Sequence, residues 1–218
     1  MSAARVPLSS TQQIPSPLAR DQAVMVFVDN QTGLMASVQS LHPEQLKQSM
    51  LALRDVAAIY RLPVILTASD PSNPQGPGPM VPELTRAFPQ SQVIARTSIG
   101  AWEDSGFVAA VEATGRRQLI VSGIATDAGV AFTALGAKRA GYDVFVVTDA
   151  SATWSEAAQS AALMRMSAVG IVPVSWVAVA AELQRDWSHP NSEDLAKLLQ
   201  RNIARWNYIA AGERAKPS

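Results

Sequence analysis

The chain has 218 residues, 48% of them hydrophobic, with 18 basic and 18 acidic side chains and no cysteine. That length supports one sizeable core and one domain, and the balanced charge leaves no footprint for nucleic acid or an anionic membrane surface. Without cysteine, disulfides, zinc-thiolate sites and redox motifs are excluded, a composition that fits the cytoplasm.

Residues 1–20 are polar and carry Pro7, Pro15 and Pro17 without an apolar signal core. They are expected to form a flexible arm, not a secretion signal. Ala23 to Val28 is a continuous apolar run ending at Asp29, the pattern of a strand buried on both faces. Similar runs recur at Pro63–Ala68, Gln92–Ala95, Gln118–Ser122, Val144–Thr148 and Ile171–Ser175. Helical spacing fills the gaps. Between Pro43 and Leu62, Leu46, Met50, Leu53, Ala57 and Tyr60 share one face, and Pro43 suits a first turn. Further helices are predicted over Ser105–Thr114, Thr126–Ala140, Ser155–Val169, Trp176–Asp186 and Ser192–Trp206. Asp70 to Pro82 is one long loop rich in Pro and Gly, read as the rim or lid of a site.

Alternating strands and helices predict an α/β domain: a three-layer αβα sandwich around a mainly parallel, Rossmann-like sheet of about six strands. The arm is followed by a domain over residues 21–187. Residues 188–218 form a helical extension that packs on the domain or on a neighbouring subunit. No apolar run approaches the roughly 20 residues that span a bilayer, so no membrane partner is expected.

Ligands of open parallel sheets bind beyond the carboxyl ends of the strands. Asp29, Arg96, Asp149 and the segment Gly123–Gly129 are the polar or turn-forming groups expected there. Asp29 is either a partly desolvated proton donor or acceptor, or a turn former with Asn30-Gln31-Thr32-Gly33. Arg96 either holds Asp29 in its ionised form, or clamps a substrate oxyanion or carboxylate, or is a solvated strand-end charge. Asp149 reads as a cap or loop anchor. Gly129 opens a helix, where free N–H groups can hold a developing oxyanion; alternatively it allows close helix–sheet packing. Trp102 and Trp154 are candidate pocket walls, whereas Trp176, Trp187 and Trp206 suit core or subunit packing. Thr126 and Ser98 are the hydroxyl nucleophiles available. His42 and His189 each adjoin a proline and have no metal-ligand spacing, so no metal and no cofactor are expected.

In this order, the segments Val28–Gly33, Leu62–Thr67, Val81–Leu84, Ile94–Arg96, Ala101-Trp102, Gly123–Leu135 and Gly141–Ser151 resemble the isochorismatase-like (cysteine hydrolase) superfamily. Ala181 to Trp187 extends the likeness to its YcaC-type branch. The resemblance implies an Asp–Lys/Arg–Cys catalytic set, with Asp29 on the acid, Arg96 on the basic residue and Gly129 on the nucleophile. It also implies a cis peptide between Ile124 and Ala125, and ring-like homo-oligomers. Thiol chemistry is unavailable to Gly129. True isochorismatases resemble this chain in carrying Gly there, and they hydrolyse a vinyl ether by Asp protonation of carbon followed by attack of water. The expectation is therefore a hydrolase of a small-molecule substrate without a covalent intermediate. Asp29 is its general acid or base, supported by Arg96; the N–H groups near Ala125 and Gly129 hold the oxygen, and the space left by the thiol admits water or substrate. Gln31, Trp102, Ala125 and Phe132 are the expected substrate contacts. Two alternatives stay open: a catalytically silent homologue that binds ligands or forms an assembly, and a Cys-to-Gly variant of a cysteine amidohydrolase.

Overall fold

A computed structural model describes residues 16–70 and 76–206. Its centre is a six-stranded, wholly parallel sheet in the order β3-β2-β1-β4-β5-β6. The strands are β1 (Ala23–Val28), β2 (Val64–Ser69), β3 (Val93–Arg96), β4 (Gln118–Ile124), β5 (Asp143–Ala152) and β6 (Val172–Val174). The α-helices are α1 (Thr32–Ser37), α2 (Pro43–Ile59), α3 (Pro82–Thr85), α4 (Ser105–Ala113), α5 (Ala131–Arg139), α6 (Glu156–Ser167), α7 (Trp176–Gln184) and α8 (Ser192–Asn202). The three layers and the strand count are those read from the sequence.

β1 explains the layering. All six of its residues are buried, and successive side chains point to opposite faces. Ala23, Met25 and Phe27 join the core shared with α2, α7 and α8, while Val24, Val26 and Val28 join the core shared with α4, α5 and α6. A continuous apolar run is what a strand covered on both sides needs. In α2, His42 accepts the Glu44 N–H as a cap, Pro43 opens the helix, and Leu46, Met50, Leu53 and Ala57 turn inward. α8 packs on α2 and α7.

The structure departs from the sequence reading in several places. Thr32 begins a short helix, α1, with Gln31 at its N-cap, instead of a simple turn. The segment expected as one helix from Thr126 is split: Thr126–Val130 is a wide turn in which the Val130 N–H reaches the Ala125 carbonyl at 3.1 Å, and α5 follows. β5 does not end at Asp149 but continues to Ala152, with a register shift against β4 between Val121 and Gly123. Small residues Ala150 and Ser151 keep that extension buried. Most of the expected arm, residues 1–15, lies outside the described residues, as do residues 71–75 of the long loop. The described part of the arm is held down: Leu18 is buried, and its N–H donates to Glu182 Oε2 at 2.8 Å. The second half of the loop is stitched to α1. Thr32 N–H donates to Pro79 O at 3.0 Å, Gly33 N–H to Pro77 O at 2.9 Å, and Val81 N–H to Asn30 O at 2.9 Å. Among the described residues, no helix is long and apolar enough to cross a membrane.

Candidate active site

Because β1, β2 and β3 are neighbours in a parallel sheet, their carboxyl ends lie side by side. Asp29 follows β1, Ser69 closes β2, and Arg96 closes β3 in register with Ser69. The Asp29 N–H donates to Thr67 O at 2.9 Å, which carries the β1–β2 ladder one residue further. The chain then turns with Asp29 at a φ of 53°, a left-handed conformation that Asp adopts more readily than most residues. Asp29 Oδ1 accepts the Ser69 N–H at 2.7 Å and the Ser69 hydroxyl at 3.1 Å. Asp29 Oδ2 accepts from Arg96 Nη2. Arg96 Nη1 donates to the Ser98 carbonyl and approaches Ser69 Oγ at 3.5 Å. The paired side chains are 5% (Asp29) and 0% (Arg96) exposed, so Arg96 is not a solvated strand-end charge.

Burial is the largest influence on Asp29 and pushes its carboxyl above the ordinary aspartate range. The Arg96 charge and the Ser69 hydrogen bonds act the other way without cancelling it. A carboxyl in this setting holds its proton to higher pH than an exposed aspartate, while a fixed cation waits to receive the anion once the proton leaves.

β4 supplies the opposite wall. Gly123 has a φ of 148°, and a Cβ there would fall 1.8 Å from the Val28 carbonyl oxygen. No other residue lets β4 run so close to the end of β1. The Ile124–Ala125 peptide is cis. The following turn brings Gly129 against Asp29, where a Cβ would lie 2.7 Å from Oδ2. Thr133 fixes that turn by donating to Gly129 O at 2.6 Å, and its hydroxyl accepts the Ala101 N–H at 2.9 Å.

Buried side-chain atoms without a hydrogen-bond partner concentrate here: Asn30 Oδ1, Gln31 Oε1, Arg96 Nε, Ser122 Oγ and Thr126 Oγ1. Buried polar groups are normally paired, and these unpaired ones all belong to residues at or near the carboxyl ends of β1, β3 and β4. Gln31 also ties the edge to the long loop, donating from Nε2 to Ser69 O at 2.9 Å and to Gly78 O at 2.5 Å.

Residues 23–178 match the isochorismatase domain. The chain belongs to the isochorismatase family. It is 44% identical to Escherichia coli (strain K12) YcaC, named a probable hydrolase, over 187 residues, covering 85% of this chain and 88% of that protein. The structure of Pseudomonas aeruginosa YcaC with hexane-2,5-diol and covalent acrylamide matches with a TM-score of 0.86 and 41% identity, over 95% of this chain and 100% of that one. The crystal structure of Escherichia coli YcaC, described as an octameric hydrolase of unknown specificity, matches with a TM-score of 0.85 and 41% identity, over 92% of this chain and 98% of that one.

In this member of the isochorismatase family, Asp29, Arg96 and Gly129 meet at the sheet edge, with Ala125 in the same turn as Gly129 and Gln31 beside Ser69. Trp102 and Phe132 instead line a groove of about 530 Å³ with Glu103, Leu135, Arg139 and Arg165, which does not include Asp29, Arg96 or Gly129. The reason is packing. Trp102 sits edge-on to Phe107 and Tyr142, at 6.0 and 5.2 Å between ring centres, over the face that Gly136 leaves open. Phe132 lies beneath the Arg165 guanidinium at 5.6 Å. Trp154, also read as a pocket wall, is 43% exposed. The Ser98 hydroxyl is engaged by Gly100 O at 3.0 Å, and the ring of His189 by Gln184 O at 3.0 Å.

Sequence reasoning overlooked Ser69 and the part played by Gly123. Ser69 was findable: it ends an apolar run, as Asp29 and Arg96 do. Gly123 stood inside a turn already singled out, but its closeness to Val28 depends on strand pairing.

Proposed function

We propose that this protein hydrolyses a small molecule without a covalent enzyme intermediate. Asp29 is the general acid or base, and Arg96 positions it and neutralises charge. The backbone N–H groups near Ala125 and Gly129 receive the oxygen that becomes negative. The observation that carries this reading is the buried Asp29–Arg96 pair seated against Gly129 in a chain with no cysteine. The bond class is a vinyl ether or a C–N or C–O bond. With Asp29 as acid, the proton goes to the substrate carbon of a vinyl ether, water adds to the resulting cation and returns a proton to Asp29, and the hemiketal formed breaks its ether C–O bond to release an alcohol and a carbonyl compound. With Asp29 as base, it takes a proton from water attacking a carbonyl and gives it to the leaving nitrogen or oxygen as the C–N or C–O bond of the tetrahedral intermediate breaks.

A turnover screen of vinyl ethers including isochorismate, small amides, esters and lactams tests this reading, with Asp29→Asn run beside the wild type. Turnover that vanishes with Asp29→Asn is the expected result; equal rates would end the proposal. Acrylamide supplies a second check, because it adds to nucleophiles such as thiolates and this chain has no thiol. Intact-mass measurement is expected to find no adduct at the site.

One observation favours a second reading, a silent homologue. Both Asp29 oxygens are already engaged, Oδ1 by Ser69 and Oδ2 by Arg96. Ligand binding without turnover on the whole panel would support it. For either reading we propose a homo-oligomer, as in the octameric Escherichia coli relative. Exposed Ile99, Trp154, Met164, Val169 and Trp187 are the apolar surface such an assembly would cover. Light scattering on the purified protein decides this.

A further inference from the structure

We infer that Gln31 is a positioning residue: through Ser69 its side-chain amide fixes the Asp29 carboxyl, and through Gly78 it fastens the long loop to the same strand end. The way the β1–β2 ladder ends carries this. In a parallel ladder, alternate residues of one strand spend both their N–H and their C=O on the neighbouring strand. Thr67 is such a residue, and its carbonyl takes the Asp29 N–H at 2.9 Å. The next one along β2 is Ser69. Had β1 run on, the Ser69 N–H would meet the Asp29 carbonyl and the Ser69 carbonyl would meet the Gln31 N–H. The turn at Asp29, with a φ of 53°, sends the Gln31 N–H to the Asp29 carbonyl instead, at 2.7 Å. The side chains of the same two residues take over the missing rungs. Asp29 Oδ1 accepts the Ser69 N–H at 2.7 Å, and Gln31 Nε2 donates to Ser69 O at 2.9 Å.

Ser69 therefore has both backbone groups held by side chains, and its own N–H and hydroxyl hold Asp29 Oδ1. The other Gln31 Nε2 hydrogen goes to Gly78 O at 2.5 Å. A glutamate in this place would set a carboxylate against two carbonyl oxygens, and an asparagine is about 1.5 Å too short. The Gln31 oxygen Oε1 has no partner, so a flipped amide would lose both bonds. Gln31 is fully buried, and water does not replace them. Backbone bonds run beside the Gly78 contact, from Thr32 N–H to Pro79 O at 3.0 Å and from Gly33 N–H to Pro77 O at 2.9 Å. Residues 77–79 and the acid thus share one anchor. Both amide hydrogens are spent within the protein, so Gln31 acts on a reaction through Ser69 and not by touching substrate. That chemical consequence rests on Asp29 being the acid–base group; the positioning does not.

The positioning is tested without any substrate. Gln31→Met keeps the length of the side chain and removes its donors. Infrared titration follows the protonated Asp29 carboxyl, whose band is assigned by its absence in Asp29→Asn. The Ser69 hydrogen bonds act to lower the Asp29 pKa, so loosening Ser69 is expected to raise it by about one pH unit, the worth of one hydrogen bond to a charged group. Hydrogen exchange at the Thr32 and Gly33 N–H groups is expected to quicken. Asp149→Ala removes a helix cap away from this ladder and is expected to change neither, which separates positioning from a general loss of stability. An Asp29 pKa that stays at the wild-type value in Gln31→Met overturns the inference, and so does an equal rise in Asp149→Ala. Unchanged exchange at Thr32 and Gly33 removes the loop half of it. Should Gln31→Met fail to fold, Gln31→Asn replaces it, because the shorter side chain withdraws the amide from both carbonyls; the same rise is expected and an unmoved pKa refutes. A raised pKa together with undiminished turnover in Asp29→Asn keeps the positioning and removes only the catalytic reading. An unmoved pKa with turnover lost in Asp29→Asn does the reverse.

Discussion

Asp29 and Asp149 are two carboxylates near the carboxyl edge of one parallel sheet, and burial pushes both above the ordinary aspartate range. Their neighbours separate them. Asp149 lies inside the extension of β5, and its Oδ1 accepts the Trp176 N–H at 2.9 Å, so it caps the first turn of α7. Asp29 stands where three strand ends converge, and its partners come from β2 and β3: an N–H, a hydroxyl and a guanidinium. The lesson is that desolvation alone does not make a site. A carboxyl buried against a helix terminus is spent on structure. One buried beside a fixed cation, a side-chain-free turn and unpaired polar atoms has the means to exchange a proton with a ligand.

The sharpest way to break this contrast is to neutralise each carboxyl in turn. Asp29→Asn is expected to lower turnover by about 10²–10⁴, the usual worth of a general acid or base, whereas Asp149→Asn leaves it within a factor of a few. Equal losses would make the two carboxyls equivalent. Next in size, Arg96→Ala leaves Asp29 buried without its cation. Denaturant unfolding should find a loss of about 3–5 kcal/mol, the cost typical of breaking one side of a buried pair. Arg96→Lys should fall between, because an ammonium keeps the charge but cannot span Asp29 and Ser98 as the guanidinium fork does. Smallest is Asp149→Ala, which removes one helix cap at about 1 kcal/mol. Ser175 still caps α7 through its bond to the Ala178 N–H at 3.1 Å.

The pH profile sharpens the role of Asp29 itself. Because burial lets it keep its proton to higher pH, a reaction using Asp29 as acid holds its rate at low pH and falls as pH rises through the folded-state pKa. A reaction using it as base does the reverse and rises through the same region. The profile of kcat/KM on any substrate that emerges from the screen therefore separates vinyl-ether protonation from activation of water. Loss of that limb in Asp29→Asn assigns it.

Much of this was legible in the chain. Six apolar runs separated by helical spacing dictate a buried parallel sheet between helical layers, because only strands covered on both faces can be apolar at every position. Asp29 and Arg96 could be placed at strand ends by the same runs, and the missing cysteine removes thiol chemistry outright. The sequence could not say that Arg96 is buried and bonded to Asp29, since that follows from β1, β2 and β3 being neighbours in space. Asp149, which ends an apolar run as Asp29 does, was read as a cap or loop anchor, and it is one: it accepts the Trp176 N–H at the start of α7, although β5 continues past it to Ala152. Trp102 and Phe132 joined the site on paper because they flank its motifs, but side-chain packing carried them to another groove. Position 129 shows the division most plainly: composition states that nothing there can attack a substrate, but only the tertiary contacts bring Gly129 beside the Asp29 carboxylate, because a glycine's neighbours are set by how strands and turns pack and not by its own identity.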